Sequence, residues 1–254
     1  MTEELEVVRH DAVLVVTLNR PRRRNAMNGT MARALAAAMD ELDADPSLVV
    51  GVLTGAGGAF CAGMDLAAFL AGDVPDVPGR GLGGITRTPP QTPLIAAVEG
   101  YALAGGLELA LACDLIVAAE DATFGLPETT RGLIAGAGGL VRLPRRIPPG
   151  VALQYALTGE SFGAAEAAGW GLVNAVTPSG SALDKALKLA ERIAANGPLA
   201  VRVTKEVVTQ APDWPADTLW DRQQELLDHV LASDDAREGA AAFAEKRSPH
   251  WTGR

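Results

Sequence analysis

Residues 96–114, AAVEGYALAGGLELALACD, constrain the fold more than any other stretch. The apolar run at 94–98 reads as a short buried strand that stops at Glu99 and Gly100. Gly105 and Gly106 follow, and then a helical run carries a single charge, Glu108, among leucines and alanines. The glycine pair lets backbone come close to a ligand. It also opens a helix whose free N–H groups attract negative charge. Glu108 has two readings. It faces solvent or pairs with an arginine, or it is buried for chemistry, since a buried carboxylate is costly unless paired or used.

Size and charge narrow the function classes. With 254 residues the chain makes one large domain, or one domain with an appendage. Hydrophobic residues are 48% and charged residues 21%, enough to build a sizeable core. Aromatics are only 4%, which favours close packing of small-residue helices on sheets. The net charge of −9 argues against a nucleic-acid or membrane-surface partner, because both require a basic face. The longest apolar stretch, 94–119, holds Glu99, Glu108 and Asp114, so no membrane span is expected. Cys61 and Cys113 have no metal-ligand spacing and make no disulfide framework. A reducing, cytoplasmic setting is therefore expected. Residues 1–9 are too acidic and polar for a secretory or transit peptide.

In chain order, residues 12–19 read as a buried strand ended by Arg20 and Pro21. Arg22, Arg23 and Arg24 form a basic cluster, either a solvated turn or an anion contact. A helix is predicted at 30–42, with Met31, Leu35, Ala38, Met39 and Leu42 on one face, and a strand at 49–54. A glycine-rich turn and the run from Ala59 to Leu66 come next, and Asp65 is positioned to cap a short helix over 66–70. A small-residue strand-to-helix turn of this kind points a backbone N–H at a developing oxyanion, or simply connects two elements. Residues 71–93, rich in glycine and proline, read as a long loop with little regular structure. Strands are predicted at 114–119 and 122–124, the latter delivering Glu128. A helix out, a strand back and a turn bring Glu108 and Glu128 to one mouth, where one carboxyl serves as base and the other as acid. Residues 136–139 are a second glycine cluster, and helices follow at 150–157 and 164–169, the second capped by Ser161. After a short strand at 172–176 only helices are expected: 183–195, then Pro198 to 210, 218–231 and 236–245.

Six segments carry a family resemblance: NRPRRRNAM, TGAGGAFCAGMDL, PLIAAVEGYALAGGLELALACD, FGLPE, GAGGLVRLPRRI and DDAREGAAAFAEKR. In this order and spacing they resemble the enoyl-CoA hydratase/isomerase (crotonase) superfamily over nearly the whole chain. The resemblance implies an α/β fold: a crotonase-like spiral of ββα turns over residues 1–195. A C-terminal helical region, 196–254, would make trimers or dimers of trimers. It implies an oxyanion hole from the N–H groups of Ala62 and Gly105, and catalysis by Glu108, the water-activating base, and Glu128, the acid at C2. CoA would lie against Arg24, Ala26, Ala62, Gly63, Met64, Asp65 and Leu66, with Phe243 and Lys246 reaching its nucleotide from a neighbouring subunit. No metal or redox cofactor is implied, because CoA arrives with the acyl thioester substrate.

The implied reaction is reversible addition of water to a 2-enoyl-CoA. An isomerase of the family needs only the carboxylate at Glu128, so keeping Glu108 argues for hydration or dehydration. The segments around residues 139–149 and 242–254 also resemble carnitinyl-CoA dehydratases. The chain departs from the family at Ala104, where glycine is usual, at Ala135, where proline is usual, and at Leu140 and Val141, where Thr-Gln is usual. Non-catalytic acyl-CoA binding and RNA binding are the readings from other classes. The paired glutamates count against the first and the acidic balance against the second.

Overall fold

The fold is described from a computed structural model covering residues 3–254. Strands β1 (Leu5–His10) and β2 (Val13–Leu18) form a hairpin, and a 3-10 turn at Pro21–Arg23 leads to α1 (Gly29–Ala44). Then come β3 (Val50–Gly55), α2 (Leu66–Leu70) and the two-residue strands β4 (Asp76–Val77) and β5 (Gly81–Leu82). The middle of the chain holds β6 (Leu94–Val98), β7 (Tyr101–Leu103), α3 (Gly105–Ala112), β8 (Leu115–Ala119), β9 (Thr123–Gly125) and a 3-10 turn at Pro127–Arg131. Next are α4 (Gly139–Arg146), α5 (Pro149–Thr158), β10 (Ser161–Gly163), α6 (Ala164–Gly169), β11 (Ala175–Thr177) and α7 (Ala182–Ala194). The chain finishes with α8 (Pro198–Gln210), α9 (Leu219–Leu231) and α10 (Asp234–Glu245).

The main sheet has six strands in the order β1-β2-β3-β6-β8-β11, and every pairing after the first hairpin is parallel. A second sheet stacks β10, β9 and β7. Successive strands of the main sheet feed this second layer: β6 leads to β7 and α3, and β8 leads to β9 and its 3-10 turn. After β3 the chain does the same at Cys61, which bridges to Ala102 of β7. These repeats are the turns of the expected ββα spiral.

Both faces of the main sheet are buried, as a parallel sheet demands. Leu14, Val16, Leu18, Leu53, Ala96 and Ile116 point inward onto α1 and α3, while Val13, Val15, Val50, Val52, Ile95 and Val117 point outward onto α7. The helix α7 meets that face with Ala182, Ala186 and Ala190, one small residue per turn, so the helix sits close on the sheet. The helix α3 is buried on every side. This is the reason its sequence has no polar face.

The structure moves several boundaries. Helix α1 begins at Gly29, because Asn28 accepts a hydrogen bond from Met31 N–H and caps it. Ser161 does not cap α6: it lies in β10, paired with Gly125, and the Glu166 carboxylate instead accepts the Gly163 N–H at 2.9 Å. Strands β1 and β7 and helix α4 were not read from the sequence. The first is an exposed edge, the second has three residues, and the third contains Pro144. Residues 71–93 are held down by acidic side chains of α1. Asp40 takes the Arg80 guanidinium at 2.8 and 2.9 Å, and Asp43 takes the Gln91 and Thr92 N–H groups.

Helix α8 is pinned to the sheet by Lys205, which donates to the Pro90 and Thr92 carbonyls and pairs with Asp114 at 2.7 Å. Buried Asp235 grips the end of the chain by accepting the Thr252 and Gly253 N–H groups. Among the described residues no helix is long and apolar enough to cross a membrane.

Candidate active site

Glu108 stands one turn into α3 and is only 3% exposed. Its Oε1 accepts two backbone N–H bonds from the second glycine cluster, Ala137 at 2.7 Å and Gly139 at 2.9 Å. Oε2 has no partner among the described residues. Burial pushes the carboxyl above its ordinary range. The Gly139 and Ala137 N–H groups and the nearby Arg142 guanidinium work the other way without cancelling the rise. Arg142 is itself fixed by donating to the Thr86 carbonyl at 2.6 Å. The buried reading of Glu108 is therefore the one that holds, and no arginine pairs with it directly.

Glu128 sits in the first turn of the 3-10 helix after β9. Its Oε2 is buried and unpartnered. Burial raises its pKa and the charge of Glu108 raises it further, against the opposing effects of its own N–H and Arg131. The two carboxyls thus sense each other across the site. Glu128 and Gly139 are both among the residues that line a cavity of about 470 Å³. Its remaining wall comes from α4, α5 and the Ile134–Ala135 turn.

The backbone donors correct one sequence expectation. The Ala62 N–H donates to the Arg24 carbonyl at 3.0 Å, so it is not free to meet an oxyanion. Two residues on, the Met64 N–H has no acceptor among the described residues, because the parallel bridge to Met27 uses only the flanking Gly63 carbonyl and Asp65 N–H. The Gly105 N–H, the first of α3, is also without an acceptor among the described residues. A methyl built on Gly105 would stand 3.7 Å from the Met64 nitrogen, and one on Gly63 would stand 3.3 Å from the Gly105 nitrogen. The two free amides are therefore neighbours.

The loop that carries them is tied from below. Arg20 pairs with Glu4 at 3.0 Å and with Asp65 at 2.9 Å, and it donates to the Ala26 carbonyl. Burial works to raise the Asp65 carboxyl. The Ala68 and Ala67 N–H groups and Arg20 outweigh it, so the pKa falls below the ordinary value. Asn25, fully buried at φ 55°, accepts from Arg20 N–H and donates to the Ala56 and Ala59 carbonyls. Arg20 and Asn25 were missed as framework residues. A basic residue at a strand end beside a turn asparagine reads as an ordinary turn until the partners are in place.

Of the residues expected to meet CoA, Arg24 and Leu66 are exposed, and the Arg24 guanidinium lies 5.3 Å over the Tyr101 ring. Ala26, Ala62 and Asp65 spend their polar atoms on the loop itself. Gly63 adopts φ 99° and its N–H points to the Cys61 sulfur at 3.4 Å. That thiol is buried and pushed up to about 12, which makes it packing rather than a nucleophile. Phe243 is 88% exposed on α10, and no hydrogen bond or ion pair of the described residues joins it or Lys246 to the loop at 62–66. Among the described residues no three His, Cys, Asp or Glu side chains gather as metal ligands.

Ala104, just before the Gly105 amide, has φ 51° and ψ −126°, a conformation suited to glycine. Ala104→Gly should stabilise the fold by about 1 kcal/mol. It relieves roughly 1–3 kcal/mol of strain and loses about 0.5–1 kcal/mol to the greater freedom of the unfolded glycine. Urea unfolding measures the difference, and a less stable variant would mean that the backbone here carries no strain.

Comparisons with known proteins place the chain in a family. The sequence model of the family described as Enoyl-CoA hydratase/isomerase matches residues 9–254. Carnitinyl-CoA dehydratase of Escherichia coli O157:H7 is 40% identical, with all of both chains covered. The crystal structure of enoyl-CoA hydratase from Mycobacterium tuberculosis H37Rv superimposes with a TM-score of 0.98 at 56% identity, covering 100% of each chain. The structure of carnitinyl-CoA hydratase from Mycobacterium avium gives 0.80 at 43%, again over 100% of both chains. On the full-length family match, these identities and the shared fold, the chain belongs to the enoyl-CoA hydratase/isomerase family.

Proposed function

We propose that the protein adds water reversibly across the 2,3 double bond of a 2-enoyl-CoA. The observation that carries this reading is the pair of buried carboxyls that meet at Gly139: Glu128 lines the cavity beside Gly139, and Glu108 accepts the Gly139 N–H behind it. Glu108 is held through Oε1 with Oε2 left over, and Glu128 presents a buried Oε2 with no partner. The thioester oxygen accepts from the Met64 and Gly105 N–H groups, and the positive end of α3 adds to the attraction. Water held by Glu108 gives it a proton as oxygen bonds to C3. The electron pair moves toward the thioester, and Glu128 supplies the proton at C2. The product is a 3-hydroxyacyl-CoA. Proton exchange with solvent then returns both carboxyls to their starting states. Each free amide donor is worth on the order of 10²–10³ in rate in sites of this type.

Dehydration of a carnitinyl thioester is the second reading. It would use the same two carboxyls in reverse, and the dehydratase relative supports it. CoA enters as part of the substrate, and the exposed Arg24 and Leu66 are among the residues proposed to meet it. The helices after residue 195 form the oligomer face in this proposal. Val208, Trp220, Leu231 and Phe243 are exposed apolar side chains there, consistent with a trimer or a dimer of trimers that brings Phe243 and Lys246 to a neighbour's CoA.

Mixing the purified protein with crotonyl-CoA should rapidly remove the absorbance of the enoyl thioester, and Glu108→Gln should slow that loss by at least about 10²-fold. Persistent absorbance with crotonyl-CoA, longer enoyl-CoAs and crotonobetainyl-CoA alike would leave the hydro-lyase reading without support.

A further inference from the structure

The cavity beside Glu128 carries information about the acyl group. Beyond the catalytic end, its wall includes Ile134, Leu140, Leu143, Ala152, Ala156 and Leu157. Among the described residues no aromatic ring lines it, and Glu128 is its only charged residue. The one other hydroxyl, on Thr129, is used on the Ala156 carbonyl at 3.2 Å. A trimethylammonium head group needs an aromatic face or an ionised carboxylate to replace its water. Glu128 is engaged at C2, as proton donor in hydration and as base in dehydration, so among the described residues the cavity keeps no second carboxylate and no ring for the head group.

The volume has a second consequence. At roughly 30 Å³ for each water-sized group, about 470 Å³ is room for about fifteen such groups, of which a chain that leaves the open far end to solvent fills on the order of ten. A four-carbon acyl group would leave most of that apolar space in contact with water. The α5 wall presents Ala152, Leu153, Ala156 and Leu157, residues one turn apart on one face of the helix. The alanines leave the room that the leucines border. Ile134, Leu153 and Leu157 are 73%, 57% and 67% exposed, so the far end opens outward instead of closing on a short chain.

We propose that this cavity binds an unbranched aliphatic acyl chain of medium length, on the order of ten carbons, laid along α5, with Ala156 setting the room available. This rests on the acyl-CoA reading of the site above and narrows its substrate class. On this proposal the chain is similar to the dehydratase relatives over its full length but takes a different acyl group.

The test is calorimetric titration of the protein with butyryl-CoA, hexanoyl-CoA, decanoyl-CoA and carnitinyl-CoA, none of which is a 2-enoyl thioester. Full burial gives about fourfold in affinity per methylene, so partial burial of six should make decanoyl-CoA about 100-fold tighter than butyryl-CoA. Ala156→Phe fills the cavity and should cut that ratio below about tenfold. Leu157→Glu places a charge at an exposed position that the fold tolerates, and it should lower the same ratio. Equal affinities for butyryl-CoA and decanoyl-CoA in the unsubstituted protein, or tightest binding of carnitinyl-CoA, would overturn the assignment. A preference for decanoyl-CoA that survives both substitutions would overturn the α5 location. Chain-length-dependent binding without hydration of crotonyl-CoA or 2-decenoyl-CoA would uphold the cavity assignment and overturn the hydratase reading, so the two fail separately.

Discussion

Glu128→Gln should lower hydration of a 2-enoyl-CoA by about 10³-fold and at the same time raise the midpoint of thermal unfolding at pH 8. The rate falls because an amide has no acidic proton to give C2, and a positioned general acid contributes about 10²–10⁴. Stability rises because the native carboxyl is held above its ordinary pKa, first by burial and then by the charge of Glu108. A carboxyl raised in this way contributes its full stability at pH values below the unfolded pKa. It loses that contribution as pH rises through the folded pKa. Glutamine does not titrate. The variant's advantage should therefore be present at neutral and alkaline pH and shrink as pH falls below the usual carboxylate range. Each kcal/mol relieved moves the midpoint by about 2–4 °C in a chain of this size. Thermal scans at pH 4 and pH 8 beside a hydration assay separate the effects. Lost activity with a lower midpoint at pH 8 would mean that Glu128 supports the fold rather than strains it.

Gly106→Ala should cost about 3 kcal/mol of stability and about 10²-fold or more in rate. Gly106 lies under the first turn of α3, and a methyl there runs into the Cys61 carbonyl, with the rest of Cys61 close behind. The obstacle is backbone, so no side-chain rotation clears it. Overpacking of this kind costs about 1–3 kcal/mol, with the upper end expected where a buried helix must move as a body. The movement separates the Met64 and Gly105 amides, which face one another across the contact between α3 and the loop at 61–64. A misplacement of about 1 Å at reacting groups is worth on the order of 10² in rate. Gly150→Ala is the control. Gly150 lies in the first turn of α5 with nothing near its would-be Cβ, so alanine there should leave stability unchanged or raise it by up to about 1 kcal/mol. Similar unfolding midpoints in urea for Gly106→Ala and Gly150→Ala would contradict the close approach at Gly106.

These two residues also mark the boundary between pattern and packing. Glycine pairs ahead of a helix signalled close backbone contact, and the Gly105–Gly106 pair makes it against the loop at 61–64. The cluster at 136–139 signalled the same. Its partner turned out to be a side chain, the Glu108 carboxylate that accepts the Ala137 and Gly139 N–H groups. Nothing in either segment alone pairs them, since they lie about thirty positions apart and meet only when α4 packs on α3. The Ala62 expectation failed for a related reason. Consecutive amides of a small-residue turn look alike in sequence, and only their packed neighbours tell them apart: the Arg24 carbonyl takes the Ala62 N–H, the Cys61 sulfur faces the Gly63 N–H, and the Met27 bridge takes the Asp65 N–H and leaves that of Met64 free among the described residues.

What the sequence determined by itself was what repeats or is local. Apolar runs of five or six residues marked the parallel strands β2, β3, β6 and β8, because strands buried on both faces have no polar side to interrupt them. Asp65 could be read as a cap because its hydrogen bonds go to amides two and three residues away. Glu108 was visible as a charge in an otherwise apolar helix. The tertiary structure alone decided what else was left without partners: the Met64 amide in place of that of Ala62, the Glu128 carboxyl oxygen, and the apolar wall along α5. A free donor or an empty cavity is a property of everything packed around it, and here those neighbours come from segments far apart in the chain.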